Sequence, residues 1–385
     1  MDPPPATSPR ALLVTNDFPP KLGGMERFAL GLATALPGAA VLAAAHPDVP
    51  AHDRALPFPV HRAPTRFMLP TPGTAALIER VARAERADVV VLLAPLPLAG
   101  LGPRLALPWT VVAHGAELTV PARLPGLGAL LRRWLGAADG LFAVSGHTAG
   151  QLRHLLGPHG PPVRLLHNGV DVERFHPSAD GAAIRRRLGL GDGPLVGCVG
   201  RLVPRKGQDR LLAAMPLVRE HVPDARLLLV GDGRLRRRLE RQARAQGPGR
   251  VVLAGAVASH ELPSYVAAMD VLAHPNRSRW AGLEQEGFGV VFLEGQACGR
   301  PVIAGDSGGS PEALAEGVSG LLVDGTDPAA IAEAIVAILT DTERAEAMGR
   351  AGRALVEARF TWSAIAERLL ADLRGVLADA GTRPT

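Results

Sequence analysis

The sequence predicts two doubly wound α/β domains, each built on a parallel sheet. The chain has 385 residues, which is too many for one hydrophobic core and suits two. Short apolar runs alternate with helical segments in two successive series, as in parallel sheets that are covered on both faces. Between the series, residues 168–177 carry turn formers at both ends. We therefore expect Rossmann-like domains at 1–172 and 173–361 that face each other across a cleft, with a helix at 362–385 returning to the first domain.

Composition narrows the function classes. Apolar residues make up 47% of the chain, enough for a full core in each domain. The formal net charge is +5 and the charges are intermixed, which favours anionic partners such as phosphates or an acidic membrane surface. A nucleic-acid binder would show a basic stripe with stacking aromatic residues, and this chain does not. Cys198 and Cys298 lie in apolar segments without metal-ligand spacing, so we expect buried free thiols in a reducing cytoplasm.

The chain carries no recognisable membrane or export segment in its sequence. Residues 1–9 are rich in proline and lack an apolar signal core, so we expect no export. No uncharged apolar run reaches the roughly 18 residues that a bilayer span needs. The expected location is the cytoplasm, with the cytoplasmic face of the membrane as a further option.

The first predicted strand, at 10–15, leads into a loop that ends in Gly23 and Gly24, followed by a helix at 25–36. Paired glycines allow a backbone to approach phosphate oxygens that a Cβ would exclude. The alternative is an ordinary strand-to-helix turn. The loop is not a dinucleotide fingerprint, because the Gly-x-Gly-x-x-Gly spacing is missing.

Further apolar runs predict the other strands of the first domain, at 40–45, 89–93, 110–113, 141–144 and 163–166. In parallel sheets, ligands bind beyond the carboxyl ends of the strands. Asp17 and His114 each follow a predicted strand and are therefore candidate site residues, with a structural histidine as the alternative for His114. The segment 125–138 is basic and amphipathic. It suits either an anionic membrane surface or a packed helix with its arginines in water.

The second series predicts strands at 195–199, 226–230, 251–254, 271–273 and 301–303. The first of these ends in the loop Gly200-Arg-Leu-Val-Pro-Arg-Lys-Gly207. Arg201 offers a planar fork of donors and Lys206 a point charge, which together suit a diphosphate. The alternative is a solvated basic loop.

Two glutamates stand eight positions apart, in Glu286-Gly-Phe-Gly-Val-Val-Phe-Leu-Glu294. A helix at 290–297 would direct its free N–H groups back at the Gly-Phe-Gly turn, where they could hold sugar hydroxyls or phosphate oxygens. Ionised carboxylates accept hydrogen bonds from the vicinal hydroxyls of a sugar or ribose. The alternative is a plain helix start with acidic residues in its first turn.

These elements resemble a known family. The Arg-x4-Lys loop, the Glu-x7-Glu element and His-Gly-x-Glu after a first-domain strand are similar to the retaining glycosyltransferases of family 4, which have the GT-B fold. Within that family, the chain resembles actinobacterial mannosyltransferases that act on phosphatidylinositol mannosides. Those enzymes use GDP-mannose at the inner membrane face and need no metal. The stretches that carry this likeness are 15–20, 201–209, 286–294 and 304–312.

The resemblance implies roles for the second-domain residues. Arg201 and Lys206 would bind the donor diphosphate and stabilise it as it leaves. Glu294 would bind the ribose hydroxyls. Val257 would meet the base through its backbone.

It also implies which residues hold the sugar. Glu286 would hold the donor sugar together with the backbone of Phe288 and Gly289. His114 would contact that sugar near the reacting carbon.

In the first domain, the resemblance implies that Gly23 and Gly24 approach the phosphates and that Asp17 contacts the acceptor. The donor is then a substrate, no cofactor or metal is expected, and the partners are a nucleotide sugar and a lipid-linked inositol or other glycan acceptor. Three alternatives stay open. They are a family 4 transferase with another UDP- or GDP-sugar and a polysaccharide or small acceptor, a GT-B-like sugar-nucleotide epimerase, and, disfavoured by the missing fingerprint, a nucleotide-binding oxidoreductase.

Overall fold

The computed structural model describes residues 8–21, 23–47 and 50–381. These residues divide into two compact units. Unit 1 contains the described residues as far as Gly169, together with those from Trp362 onward. Unit 2 is the continuous segment Val170–Thr361.

Unit 1 is built on a parallel sheet, which has seven strands in the described residues and the order β3-β2-β1-β4-β5-β6-β7. The strands are β1 Ala11–Thr15, β2 Ala40–Ala43, β3 Val60–Arg62, β4 Val89–Leu92, β5 Trp109–Ala113, β6 Gly140–Ala143 and β7 Val163–Leu165. The sequence predicted all of them except β3, a half-buried edge strand of three residues.

Helices connect these strands: α1 Gly24–Ala35, α2 Pro50–Arg54, α3 Pro72–Ala84, α4 Ala116–Thr119, α5 Pro125–Gly136 and α6 Gly146–Leu156. The predicted basic segment at 125–138 forms α5. This helix buries Leu131 and Leu135 in the core and leaves Arg132 and Arg133 exposed. The helix therefore packs on the core by its apolar side and has a basic outer face.

Unit 2 has six parallel strands among its described residues, in the order β10-β9-β8-β11-β12-β13. They are β8 Leu195–Val199, β9 Arg226–Val230, β10 Val251–Gly255, β11 Val271–His274, β12 Val302–Gly305 and β13 Gly320–Val323. The helices are α7 Gly181–Leu188, α8 Gln208–His221, α9 Arg236–Arg244, α10 Leu262–Ala267, α11 Val290–Ala297, α12 Pro328–Leu339 and α13 Thr342–Arg359. The edge strand β13 was not predicted.

Polar side chains begin several of these helices. Thr71, Ser145 and Asp180 accept backbone N–H bonds at the starts of α3, α6 and α7. Asp327 and Asp341 do the same for α12 and α13. Each cap satisfies a donor that the helix leaves unpaired, so the sequence fixes where these helices begin.

The final helix, α14 Trp362–Gly381, packs in unit 1 against α1. The Trp362 ring lies edge-on to Phe28 with 5.9 Å between ring centroids. At Gly31 a Cβ would fall 2.1 Å from the Trp362 ring, so only glycine lets α1 approach the indole this closely. Within the described ranges, no helix is both long enough and apolar enough to cross a membrane.

Candidate active site

The loop after β8 places two cations against one buried acid in unit 2. Pro204–Lys206 form a short 3-10 turn, which Gly207 ends with a left-handed φ of 78°. A Cβ on Gly207 would lie 1.9 Å from the carbonyl oxygen of Pro275, just beyond β11, so a side chain is excluded there. The glycine therefore lets the turn lie directly on the end of the neighbouring strand.

Glu286 receives both cations of that turn. Its Oε2 lies 2.8 Å from Nη1 of Arg205 and 2.7 Å from Nζ of Lys206, and the residue is only 9% exposed. Burial alone would raise the pKa of Glu286, but Lys206 and Arg205 outweigh it and lower the pKa to about 2. Glu286 is therefore ionised at neutral pH and accepts hydrogen bonds only.

Lys206 and Glu286, which the sequence analysis gave separate roles, contact each other, and the structure adds a residue that sequence reasoning missed. Arg205, rather than Arg201, makes the second contact with the carboxylate. Arg201 is exposed on the same loop and takes no part in this cluster. The sequence signal for Arg205 was present as the residue beside Lys206, but the orientation of a turn decides which of two arginines meets the acid.

His274, which closes β11, was also missed. It is fully buried, and its Nδ1 is hydrogen-bonded to the side-chain oxygen of Asn276. Burial, reinforced by the charge of Lys206, lowers the pKa of His274 to about 3, so the ring is neutral. A Cβ on Gly200 would lie 3.1 Å from Nε2, which places the imidazole beneath the start of the cationic loop.

The predicted helix at 290–297 is confirmed as α11. Gly289 precedes it with a φ of 91°, and a Cβ there would lie 2.6 Å from the Phe292 ring. Phe288 is buried against Phe360, with 5.8 Å between ring centroids. The Gly-Phe-Gly turn is thus held in the core by Phe288. Its last glycine, Gly289, adopts a positive φ and lies close to the Phe292 ring, where a side chain would not fit. Glu294, on α11, is 4% exposed.

Two further loops border this region of unit 2. A Cβ on Gly231 would fall 2.1 Å from the Gly200 carbonyl oxygen, and one on Gly233 would fall 2.6 Å from that of Leu202. The loops after β8 and β9 therefore pack backbone against backbone. Val257 is half-buried in the loop after β10.

In unit 1, Asp17 follows β1 and pairs with the Lys21 ammonium. Its backbone N–H donates to Oγ1 of Thr15 at 2.9 Å. The Lys21 Nζ also lies 3.7 Å from Glu26 Oε1. Asp17 is therefore held by its own chain neighbours.

Gly23 and Gly24 have different surroundings. A Cβ on Gly23 would lie 2.1 Å from Oε2 of Glu26, whereas one on Gly24 would meet nothing within 4 Å. Glu26 is buried in the first turn of α1, where a helix favours negative charge. Because Gly23 has no side chain, the Glu26 carboxylate can lie beside it.

His114 follows β5, as predicted. Its Nε2 donates to the carbonyl oxygen of Leu93 over 3.1 Å, and its ring lies edge-on to Phe28 with 4.9 Å between centroids. Its backbone N–H donates to the Glu117 carboxylate. The bond to Leu93 requires a proton on Nε2, because a carbonyl oxygen only accepts.

In the part of the chain that the structure describes, no group of three or more His, Cys, Asp or Glu side chains is arranged to hold a metal ion. The two cysteines are buried and free, and burial raises the pKa of each thiol to about 12.

Known families match both halves of the chain. A family described as Glycosyltransferase Family 4 matches residues 22–174, and one described as Glycosyl transferases group 1 matches residues 181–355. The chain is 40% identical over 375 residues to a Corynebacterium glutamicum protein, covering 94% of this chain and 97% of the relative. That relative is named GDP-mannose-dependent monoacylated alpha-(1-6)-phosphatidylinositol monomannoside mannosyltransferase. A Mycobacterium tuberculosis protein, named GDP-mannose-dependent alpha-(1-6)-phosphatidylinositol monomannoside mannosyltransferase, is 40% identical over 380 residues, covering 95% and 98%.

Solved glycosyltransferase structures share the fold. Anabaena HepE in complex with UDP aligns with a TM-score of 0.80 at 22% identity, covering 95% of this chain and all of that one. Sucrose-phosphate synthase from Thermosynechococcus elongatus aligns with a TM-score of 0.78 at 26% identity, covering 97% and 100%. With 40% identity to curated relatives over nearly its whole length, the chain belongs to the family 4, group 1 glycosyltransferases and has their GT-B fold.

Proposed function

We propose that this glycosyltransferase moves mannose from GDP-mannose to a phosphatidylinositol monomannoside, with retention of configuration. The observation that carries the proposal is the buried Glu286 with its two cations, found in a chain that is 40% identical to relatives with that named activity. An ionised, dry carboxylate can bind sugar hydroxyls, and the adjacent ammonium can bind a phosphate.

The chemical step requires negative charge to be stabilised on the leaving diphosphate. The bond between the sugar C1 and the β-phosphate oxygen breaks, and its electron pair stays on that oxygen. The acceptor hydroxyl oxygen forms the new bond to C1 from the same face, and its proton passes to the departing phosphate. Lys206 and Arg201 are proposed to bind the diphosphate, where fixed cations in a desolvated site are worth most.

The rest of the donor is assigned by the same reasoning. Glu286, with the backbone of Phe288 and Gly289, binds the sugar. Glu294 binds the ribose, and the backbone of Val257 meets the base.

For unit 1, the proposal assigns His114 to the donor sugar near its reacting carbon and Asp17 to the acceptor. Gly23 and Gly24 are assigned to the approach of the phosphates. The carboxylate of Glu26 is already beside Gly23, so Gly24 is the better placed of the two glycines for a phosphate.

A transfer assay tests the proposal directly. Purified protein is given labelled GDP-mannose and phosphatidylinositol monomannoside, and the lipid product is separated and analysed for the anomeric configuration of the new linkage. We expect an α-linked dimannoside with GDP-mannose and at most trace product with UDP-glucose or UDP-N-acetylglucosamine. Product only from a UDP-sugar, an inverted linkage, or epimerisation of a sugar nucleotide without acceptor would each reject it.

The assay also tests one soluble alternative acceptor. A Segniliparus rotundus protein named D-inositol 3-phosphate glycosyltransferase is 36% identical over 302 residues, covering 73% of this chain and 64% of that protein. Inositol 3-phosphate is therefore tested as an acceptor in parallel. Faster transfer to it than to the lipid would favour a small-molecule acceptor.

We further propose that unit 1 reaches its lipid acceptor by resting on an anionic membrane surface. Large apolar side chains are exposed at Phe67, Leu69, Val120, Leu124 and Leu130. A Cβ on Gly100 would lie 2.9 Å from both Pro70 and Trp134, so these two residues meet at Gly100. The segment around Leu69 is therefore close to α5, the helix that contains Trp134 and Leu130. The exposed cations Arg66, Arg123 and Arg133 accompany these residues. Exposed apolar residues accompanied by arginines are typical of surfaces that rest on anionic lipid.

Vesicle sedimentation tests this surface. We expect binding to vesicles that contain phosphatidylglycerol, weakened roughly fivefold or more by Leu124→Ser with Leu130→Ser, because two apolar contacts are lost. Val318→Ser, at an exposed apolar residue of unit 2, is the matched control and should bind as the wild type does. Equal binding by all three proteins would remove this surface from the proposal.

A further inference from the structure

Residues 279–284 form a tight hairpin between β11 and α11. The backbone N–H of Arg279 donates to the carbonyl oxygen of Glu284 at 2.9 Å. The backbone N–H of Leu283 donates to the carbonyl oxygen of Trp280 at 3.1 Å. The side chains of Arg279 and Glu284 form an ion pair at 2.8 Å. Backbone and side-chain bonds together fix the tip of this hairpin.

Trp280 occupies that tip in an unusual conformation. Its φ is 50°, that of Ala281 is 49° and that of Gly282 is 81°, so three successive residues are left-handed. This region is unfavourable for residues with a Cβ, and such outliers cluster at ligand-binding sites. Trp280 is 63% exposed, and the Arg279 guanidinium carbon lies 4.7 Å from its ring centroid. One face of the indole is covered by the guanidinium, and the exposure leaves the other face open.

The hairpin borders the candidate donor site in unit 2. Glu284 Oε1 lies 3.9 Å from Arg234 Nη2, on the loop after β9. Ser278, just before the hairpin, is hydrogen-bonded to Ser307 at 3.2 Å. Glu286, the buried acid of the site, follows the hairpin by two residues. Trp280 is thus an exposed residue at the rim of a site whose floor is buried.

We propose that the open face of Trp280 stacks on the sugar or cyclitol ring of the acceptor, an inference that rests on the proposed function. Such rings present an apolar face of C–H groups and a polar edge of hydroxyls, and a flat indole suits the first. The residues assigned to the donor sugar, Glu286 and Phe288, are buried, whereas Trp280 is exposed. An exposed platform suits a substrate that binds at the rim rather than the one bound on the floor.

The test is Trp280→Gly, assayed with a deacylated acceptor headgroup that is free in solution. Glycine accepts a positive φ without strain, so the hairpin is retained while the indole is removed. Ala281→Gly is the matched control, because it introduces the same backbone freedom one residue away. We expect Trp280→Gly to raise the KM for the acceptor roughly tenfold, the size of one aromatic stacking contact. The KM for GDP-mannose and the hydrolysis of GDP-mannose without acceptor should stay within about twofold of the wild type. Ala281→Gly should match the wild type throughout.

A second readout measures binding without turnover. The chain has four tryptophans, and Trp280 is the one most exposed to solvent among them. Titration of the headgroup should therefore change the wild-type fluorescence and leave that of Trp280→Gly unchanged. Thermal unfolding of both glycine variants verifies that they are folded.

Contrary outcomes are specific. A raised KM for GDP-mannose would place the ring on the donor side and overturn the inference. An unchanged acceptor KM with weaker vesicle sedimentation would make Trp280 a membrane contact and also overturn it. If the wild type fails to use GDP-mannose, the proposed function fails before any variant is compared. If the wild type transfers mannose and Trp280→Gly equals it in every readout, only this inference fails.

Discussion

In unit 2, Lys206 and Glu286 contact each other across two different loops, whereas in unit 1 Asp17 pairs with Lys21, four residues away in the chain. The His114 ring, also in unit 1, bonds to the Leu93 carbonyl oxygen and packs on Phe28. Among the described contacts, this ring has no charged partner. The comparison teaches that unit 2 holds a preformed charged cluster with its groups already desolvated. The candidate residues of unit 1 do not form such a cluster: Asp17 is held by its chain neighbours, and His114 is held separately by uncharged groups from other elements.

The largest effect should come from removing a cation of the cluster. Lys206→Ala should lower kcat by a hundredfold to a thousandfold, about 2.7–4 kcal/mol, because the leaving diphosphate loses a fixed donor. Steady-state assays of mannose transfer measure it. Arg210→Ala, at an exposed arginine of α8, is the matched control and should keep full activity. If Lys206→Ala has unchanged turnover, the charged cluster of unit 2 has no role in catalysis, and its contrast with unit 1 has no functional meaning.

The cluster should also make folding sensitive to acid. The folded pKa of Glu286 is about 2, below the ordinary value of 4.5, so its stabilisation is complete above about pH 4.5 and is lost as the pH falls toward 2. The loss is on the order of 3 kcal/mol. Urea-unfolding midpoints across pH 2–7 measure it.

Glu286→Gln should show a flatter pH profile below pH 4.5, and Glu220→Gln, at an exposed acid of α8, should follow the wild type. The buried neutral His274 adds a loss that begins near its ordinary value of 6.5 and continues to about pH 3, so the contribution of Glu286 is measured as the difference between the wild-type and Glu286→Gln profiles. Parallel profiles for the wild type and Glu286→Gln would show that the ion pairs do not stabilise unit 2.

A smaller effect is expected from unit 1. His114→Ala should reduce kcat/KM about tenfold, or ~1.4 kcal/mol, because one positioned hydrogen-bonding group is lost. The exposed His159 provides the control His159→Ala. Since His114 also packs on Phe28, thermal unfolding is measured beside activity, and full activity in a folded His114→Ala would leave the histidine a structural role.

Sequence periodicity predicted most of the sheet, and the reason for each miss is physical. The strand β3 has only three half-buried residues, and β13 begins with glycine, so neither shows the continuous apolar run that marks a central strand. The helix α11 occupies the range 290–297 that the sequence analysis considered, and Gly289 precedes it in a left-handed conformation.

Individual contacts were harder to predict than the elements that carry them. The sequence identified Lys206 and Glu286, since both are charged groups at the carboxyl end of a parallel sheet. It missed Arg205 and His274, because their roles depend on how a 3-10 turn orients its side chains and on which strand end lies beneath it. Gly23 was predicted as space for a phosphate, and the structure shows the Glu26 carboxylate in the space beside it.

The Lys206–Glu286 pair gives the site a resident counter-ion. In the proposed function, a nucleoside diphosphate that binds Lys206 would replace one anionic partner of the ammonium by another, so the net gain in attraction would be smaller than for a bare cation. When the nucleotide then leaves, the Lys206 ammonium would still have the Glu286 carboxylate as a partner and would not remain as a buried, unpaired charge. If Lys206 binds the diphosphate as proposed, the same salt bridge that holds the side chains in place would therefore also favour release of the nucleotide product.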